Sequence, residues 1–163
     1  MAVILRKMTQ NAFKAFYQWS IAHHAVELMD ELHTSRDEAI NKAIAEVGEM
    51  LPDGLHTKDH CLSSIIDTET TETVGFIWTL QEETDGRKQS FLCDFAIWEP
   101  ARRKGYGQEA LCLAEKNAVE AGCQESVLFV SDKNTAARAL YDKCGYHVLR
   151  QEGHGKYMIK KLQ

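Results

Sequence analysis

"QSFLCDFAIWEPARRKGYGQEAL", residues 89–111, decides the fold. Its opening, Gln89–Trp98, is apolar on both faces, which predicts a strand in the middle of a sheet. Three cations and two glycines then fall between Arg102 and Gly107. From Gly105 to Ala121 the residues Ala110, Leu113, Ala114, Ala118 and Ala121 recur at helical spacing. Ser126–Val130 reads as a second buried strand. Residues 89–130 are therefore a strand–helix–strand crossover, which requires two parallel strands.

A helix beginning near Gly105 explains the basic loop before it. Its first N–H groups have no intrahelical acceptors, and its dipole places about half a positive charge there. Glycine lets a ligand approach the backbone closely, and a Cβ at Gly105 is expected not to fit. Arg102, Arg103 and Lys104 add full charges. The combination predicts a phosphate or pyrophosphate site, at the carboxyl end of a strand where ligands of α/β sheets gather. The P-loop pattern is absent. The dinucleotide fingerprint is met by Gly105, Gly107 and Ala110, but no βαβ unit starts the chain.

Outward from this unit, Val3–Met8 reads as a short strand. Phe13, Phe16, Tyr17, Ile21, His24, Leu28 and Leu32 predict an amphipathic helix. Ser35 and Glu38 form a capping box for a second helix, with Ile40, Ala43, Ile44 and Val47 on its apolar face and its end before Pro52. Cys61–Asp67 and Thr73–Leu80 read as a hairpin, and Asp85-Gly86 marks the next turn, with Glu82–Asp85 solvated. Asn134–Cys144 is a helix closed by Gly145. Tyr146–Glu152 and Lys156–Leu162 finish as strands, the last with solvated lysines. The order β-α-α-β-β-β-α-β-α-β-β predicts a mixed α/β fold in a single domain, residues 1–163.

The 163 residues carry 44% apolar and 26% charged side chains, as a globular domain does. A net charge of −5 argues against a general nucleic-acid binder. No apolar run is long enough for a membrane span. The five cysteines, 61, 93, 112, 123 and 144, have no C-x-x-C spacing and no secretory leader before them, so they read as reduced cytoplasmic thiols and small core hydrophobes. His23, His24 and Glu27 sit at helical spacing but find no third partner in the sequence, so no metal is expected.

The loop Arg102-Arg-Lys-Gly105-Tyr-Gly107 fits the pattern [QR]-x-x-G-x-[GA]. Further on, Asn134, Ala137, Tyr141, Gly145 and Tyr146 fit a second pattern of Asn, Ala three on, Tyr seven on and Gly-[FY] eleven on. With both motifs in order, the chain resembles the GNAT superfamily of acetyl-CoA-dependent N-acetyltransferases, and most of all its small bacterial members. The detailed match covers roughly 91–146. The resemblance implies a mixed, mostly antiparallel sheet whose central strands splay, flanked by helices.

It also implies roles. Backbone N–H groups of Arg103, Lys104, Gly105, Tyr106, Gly107 and Gln108 would hold the acetyl-CoA pyrophosphate, supported by Arg102. Backbone groups of Phe95 and Ile97 would meet the pantetheine arm, and one N–H would stabilise the oxyanion. Asn134, with Ala137, would contact the cofactor, while Asn134 also reads as a plain N-cap. Tyr141 would protonate the departing thiolate; without the motif it reads as a packed tyrosine. Asp94, a carboxylate in an apolar strand, would be the general base or a structural hydrogen-bonding group. Phe129 and Phe91 stand where protein-acetylating relatives carry glutamates, which weakens a protein substrate. The acceptor pocket would be framed by the first two helices and the last hairpin. Acidic residues on those helices favour a small cationic amine. The expected partners are a small-molecule amine or a peptide, with a homodimer left open. A non-enzymatic acyl-CoA-binding module is the rival reading, and an intact Tyr141 speaks against it.

Overall fold

The computed structural model describes residues 1–162. The elements are β1 (Val3–Lys7), α1 (Gln10–Leu32), α2 (Arg36–Met50), β2 (His60–Asp67), β3 (Thr73–Thr84), β4 (Arg87–Ile97), α3 (Tyr106–Glu120), β5 (Glu125–Ser131), α4 (Thr135–Lys143), β6 (His147–Glu152) and β7 (Gly155–Lys161), with short 3-10 turns at Gly54–His56 and Glu99–Ala101. This is the expected order of elements. The chain divides into two compact units: residues 8–60, and residues 1–7 with the part from Cys61 onward.

The larger unit is a seven-stranded sheet in the order β1-β2-β3-β4-β5-β7-β6. The β4·β5 pair is parallel, as the α3 crossover demands. The β1·β2, β3·β4, β5·β7 and β6·β7 pairs are antiparallel. β3 and β4 meet at the two-residue turn Asp85-Gly86, both at positive φ (53° and 74°), the conformation of a tight hairpin. Strand pairing continues to Thr84↔Arg87. Glu82 and Glu83 are thus strand residues, and the Glu82 carboxylate accepts from Gln89 Nε2 at 2.9 Å.

Register assigns the two faces. Leu92, Leu128 and Met158 align across β4, β5 and β7 and are buried with Ile77, Ala110, Leu111 and Tyr141. Phe91, Val127 and Ile159 align one residue over, on the opposite face. α3 buries Ala110, Leu111, Glu115 and Ala118, so the expected alanine stripe also holds a carboxylate.

In the smaller unit α1 and α2 pack on each other. The buried stripe of α2 is Ala39, Ala43 and Val47, spaced by four, and Ile44 is exposed. Leu32 at the end of α1 is also exposed. Ser35 Oγ accepts the Glu38 N–H at 3.2 Å, but the Glu38 carboxylate bonds the Thr34 hydroxyl instead of closing a reciprocal box. All five cysteines are free; Cys123 is buried whereas Cys61 and Cys112 are exposed, so core packing does not account for the set.

Candidate functional site

The loop before α3 turns on two residues in the left-handed region. Arg103 and Gly105 both take positive φ (66° and 80°), which turns successive N–H groups toward one side. Gly105 is the N-cap residue and supplies no side-chain bond. The helix ladder begins with Glu109 N–H to Gly105 O, 3.2 Å, so the N–H groups of Tyr106, Gly107 and Gln108 precede it without intrahelical acceptors. Arg102, Arg103 and Lys104 are exposed around them. A Cβ at Gly105 would meet nothing within 4 Å, so the need for glycine there is conformational and not spatial. A Cβ at Gly107 would come to 3.5 Å from Leu140 and Phe95 and 3.7 Å from Ile97, which sets the helix start against β4 and α4.

Two carboxylates brace this helix start. The Tyr106 hydroxyl donates to Asp67 Oδ2 at 2.5 Å, and Asp67 Oδ1 accepts the Glu69 and Thr70 N–H groups at 2.8 and 3.1 Å. These donors, Tyr106 first, hold the Asp67 pKa below the usual range, and the same bond raises that of Tyr106. Glu109 accepts the N–H of Ala2 at 2.9 Å and of Val3 at 3.4 Å. Neither carboxylate is legible from sequence, because each acts on a segment 39 or 107 residues away.

Beside the loop the two parallel strands part. β4 and β5 pair from Gln89↔Glu125 to Leu92↔Leu128 and no further. At the same level the register against β3 shifts, so that Cys93 is an extra residue: Thr79 faces Leu92 and Trp78 faces Asp94. Such a bulge bends the strand. Trp98 N–H bonds Val74 O on the β3 side, so by alternation the backbone groups of Ile97 and Phe95 point to the parted side. Both already have partners. Ile97 O accepts from Arg102 Nε at 2.8 Å, and Phe95 N–H donates to Asp94 Oδ1 at 2.9 Å. Burial drives the Cys93 thiol pKa well above its ordinary value.

Tyr141 lies 7% exposed in the core cluster that also contains Leu128 and Met158. Its hydroxyl has no hydrogen-bond partner among the described residues. Burial first, then the charges of Asp94 and Cys144, raise its pKa far above 10, so the phenol stays protonated at neutral pH. α4 ends in a Schellman turn around Gly145 (φ 94°): Gly145 N–H bonds Asp142 O at 3.2 Å and Tyr146 N–H bonds Tyr141 O at 3.0 Å. The Tyr146 ring lies 5.9 Å from that of Tyr141. Tyr146 OH is within 2.9 Å of Glu115 Oε2 and 2.7 Å of Ser126 Oγ, and Lys160 Nζ donates to Glu115 Oε1 at 2.7 Å. Lys160 was expected in solvent; it completes a buried polar network instead.

Asn134 is the N-cap of α4, its Oδ1 accepting the Ala137 N–H at 3.1 Å. His23, His24 and Glu27 form an ion-pair cluster with Glu46, a partner from α2 that α1's sequence does not reveal. Among the described residues no group of His, Cys, Asp and Glu is arranged to hold a metal, and no helix is long and apolar enough to cross a membrane. A cavity of about 40 Å³ under α3, lined by Ile77, Ser90, Ala114 and Asn117 among others, has room for little more than a water molecule. It lies toward the other end of α3 from the loop.

Comparison with known proteins matches residues 13–146 to the model of the acetyltransferase (GNAT) family. The chain is 29% identical over 146 residues to the uncharacterised N-acetyltransferase YycN of Bacillus subtilis, covering 90% of this chain and 93% of that one. It is 30% identical to the uncharacterised N-acetyltransferase YdgE of the same organism, covering 90% and 92%. The crystal structure of YycN superposes with a TM-score of 0.82, at 27% identity, over 93% of this chain and 98% of that one. Spermidine N-acetyltransferase from Vibrio cholerae, solved with CoA and spermine, shares the fold at a TM-score of 0.71 and 15% identity, over 98% of this chain and 95% of that one. The basic loop before an uncapped helix, the parted parallel strands and the family match over most of the chain agree, and the chain belongs to the GNAT family of acetyltransferases.

Proposed function

We propose that the protein transfers an acetyl group from acetyl-CoA to a primary amine by direct attack, with both substrates bound together. The observation that carries this reading is the parting of β4 and β5 beyond Leu92↔Leu128, with a basic, uncapped helix start at its side. The fit to acetyl-CoA is chemical: free N–H groups at Tyr106, Gly107 and Gln108, beside Arg102, Arg103 and Lys104, suit a pyrophosphate. Acetyl-CoA supplies the activated thioester.

The chain's residues do the rest. Tyr141 stands on the α3 face of the sheet and donates its phenolic proton to the leaving sulfur. Its raised pKa keeps that proton in place until negative charge develops on the thiolate. Asp94 stands on the other face, since Trp78↔Asp94 and Leu80↔Phe91 lie two residues apart along β3. It takes a proton from the bound ammonium, which frees the nitrogen lone pair to bond the carbonyl carbon; the second proton, lost from that nitrogen as the C–S bond breaks, makes good the one Tyr141 gives to the sulfur. Turning the Asp94 carboxylate toward the amine also releases the Phe95 N–H, which then donates to the carbonyl oxygen. In this reading Asn134 and Ala137, at the start of α4, contact the cofactor. The acceptor class is a small amine, cationic until it gives up its proton.

Thiol release from acetyl-CoA, measured against a panel of primary amines, tests the proposal. Release that depends on an amine, with acetylated amine recovered in equal amount, is the expected result. Tight acetyl-CoA binding without turnover on any amine would refute it.

A further inference from the structure

On the Asp94 face lies a group of aromatic rings for which packing alone gives no reason. Phe129 is the first residue of β5 beyond the last β4·β5 pair, and it is 44% exposed in a strand whose neighbours Leu128 and Val130 are buried. Its ring rests on the backbone of Gly155. A Cβ there would come to 2.4 Å and 2.7 Å from two ring carbons and to 2.6 Å from the Val130 carbonyl oxygen, so both the approach of the backbones and the seat of the ring call for glycine at 155. The exposed Phe129 ring thus lies directly against a buried glycine. Tyr157 meets Phe129 edge-on at 5.0 Å between centroids, and Phe91 lies 6.4 Å from Tyr157. Phe91, Phe129 and Tyr157 share this face by register.

The charges at its rim are balanced. Arg150 lies 4.4 Å over the Tyr157 ring and pairs with Glu152 at 3.6 Å. Asp94 is the carboxylate that register puts on this face at the parting of the strands. One ammonium group suits such a surface, and a chain of several would meet Arg150, which register sets on the same face as Tyr157. Resting on the acetyl-transfer reading above, we infer that the acceptor is a primary amine with an aromatic or compact apolar body, which packs on Phe129 while its nitrogen reaches the cleft. A free arylalkylamine and the N-terminal residue of a peptide both present that chemistry.

The experiment uses the full chain, saturating acetyl-CoA and four acceptors: 2-phenylethylamine, n-propylamine, spermidine and phenylalanyl-glycinamide. We expect kcat/KM for 2-phenylethylamine to exceed that for n-propylamine and spermidine by about tenfold or more, as an apolar contact of this size gives. Phe129→Ala should collapse the ratio of 2-phenylethylamine to n-propylamine toward one. Phe129→Leu, which keeps an apolar group over Gly155, serves if the alanine variant does not fold, and should lower the ratio less. A faster reaction with phenylalanyl-glycinamide supports the same class with a peptide as its source. A preference for spermidine, or a ratio unchanged in a folded Phe129 variant, overturns the inference while acetyl transfer stands. Turnover on none of the four, with acetyl-CoA bound, removes both readings.

Discussion

At the scale of single residues, the proposed chemistry is tested at Tyr141 and Gly105. The Tyr141 ring is buried, while its hydroxyl oxygen is not sealed from solvent and bonds no other described residue, so Tyr141→Phe removes a proton donor without orphaning another group. Steady-state rates on an accepted amine should show kcat lower by roughly 10²–10⁴-fold, with acetyl-CoA affinity and Tm nearly unchanged. A near-normal kcat would leave the ring as packing alone. Because the phenol's pKa lies above 10, the wild-type rate should show no loss from its ionisation up to that pH. Gly105 holds φ 80° in open space, so charge and backbone can be tested apart. Gly105→Asp puts a carboxylate beside the phosphate groups, and calorimetry should show acetyl-CoA binding weakened at least about tenfold, about 1.4 kcal/mol. Gly105→Asn tolerates the left-handed conformation and brings no charge, so it should lose much less. Equal losses would mean that backbone strain, not charge, is the cause.

Between elements, the α1–α2 pair is clamped by charge. His24 bonds Glu46 of α2, lies 3.7 Å from Glu27, and stands on the helix turn that carries His23, which pairs with Glu27 at 3.3 Å; Lys42 flanks Glu46 at 3.4 Å. The bond to Glu27 first, then the Glu46 contacts, raise the His24 pKa from 6.5 to about 9 against the opposing cost of burial. His23 and His24 lower Glu27 from 4.5 to about 2. A raised histidine pKa contributes stability that is complete below pH 6.5 and lost as pH rises through about 9. A lowered carboxylate pKa contributes stability present above pH 4.5 and lost as pH falls through about 2. Tm should therefore fall from pH 6.5 to 9 in wild type, and His24→Gln should flatten that slope. A wild-type Tm level across this range would show that the clamp contributes nothing measurable.

Across the sheet unit, the Glu115 network joins α3, β5, β7 and the residue before β6 through one carboxylate. Glu115→Gln leaves Lys160 without its ion pair in a largely buried place, and denaturant unfolding should show a loss of ~2–3 kcal/mol. A change below half that would assign the network to solvent-exposed pairing. Much of the architecture was legible beforehand, because it follows from local chemistry. Alternation and apolar runs mark the strands, Asp85-Gly86 forces a hairpin, Gly145 ends α4, and Gly105 with three cations marks the basic loop before α3. The motif residues Asn134, Tyr141 and Tyr146 follow from spacing along one helix and its cap. What lay out of reach depends on contacts between distant segments. Glu115 sits on an alanine-rich stripe and reads as an error until Tyr146 and Lys160 arrive beside it. Asp67 reads as a turn residue until Tyr106 reaches it, and Ile44 reads as core until the helix pair buries Ala39 in its place. Phe129 and Gly155 carry no shared signal along the chain, because their pairing exists only where β5 and β7 lie side by side. The sequence by itself determined which elements form, in what order, and where anionic charge is welcome, since each of those depends on neighbours within a turn or two. Only the tertiary structure decided where β4 leaves β5, which buried charges find partners and which rings share one face of the sheet, because register and packing bring together residues that the chain keeps far apart.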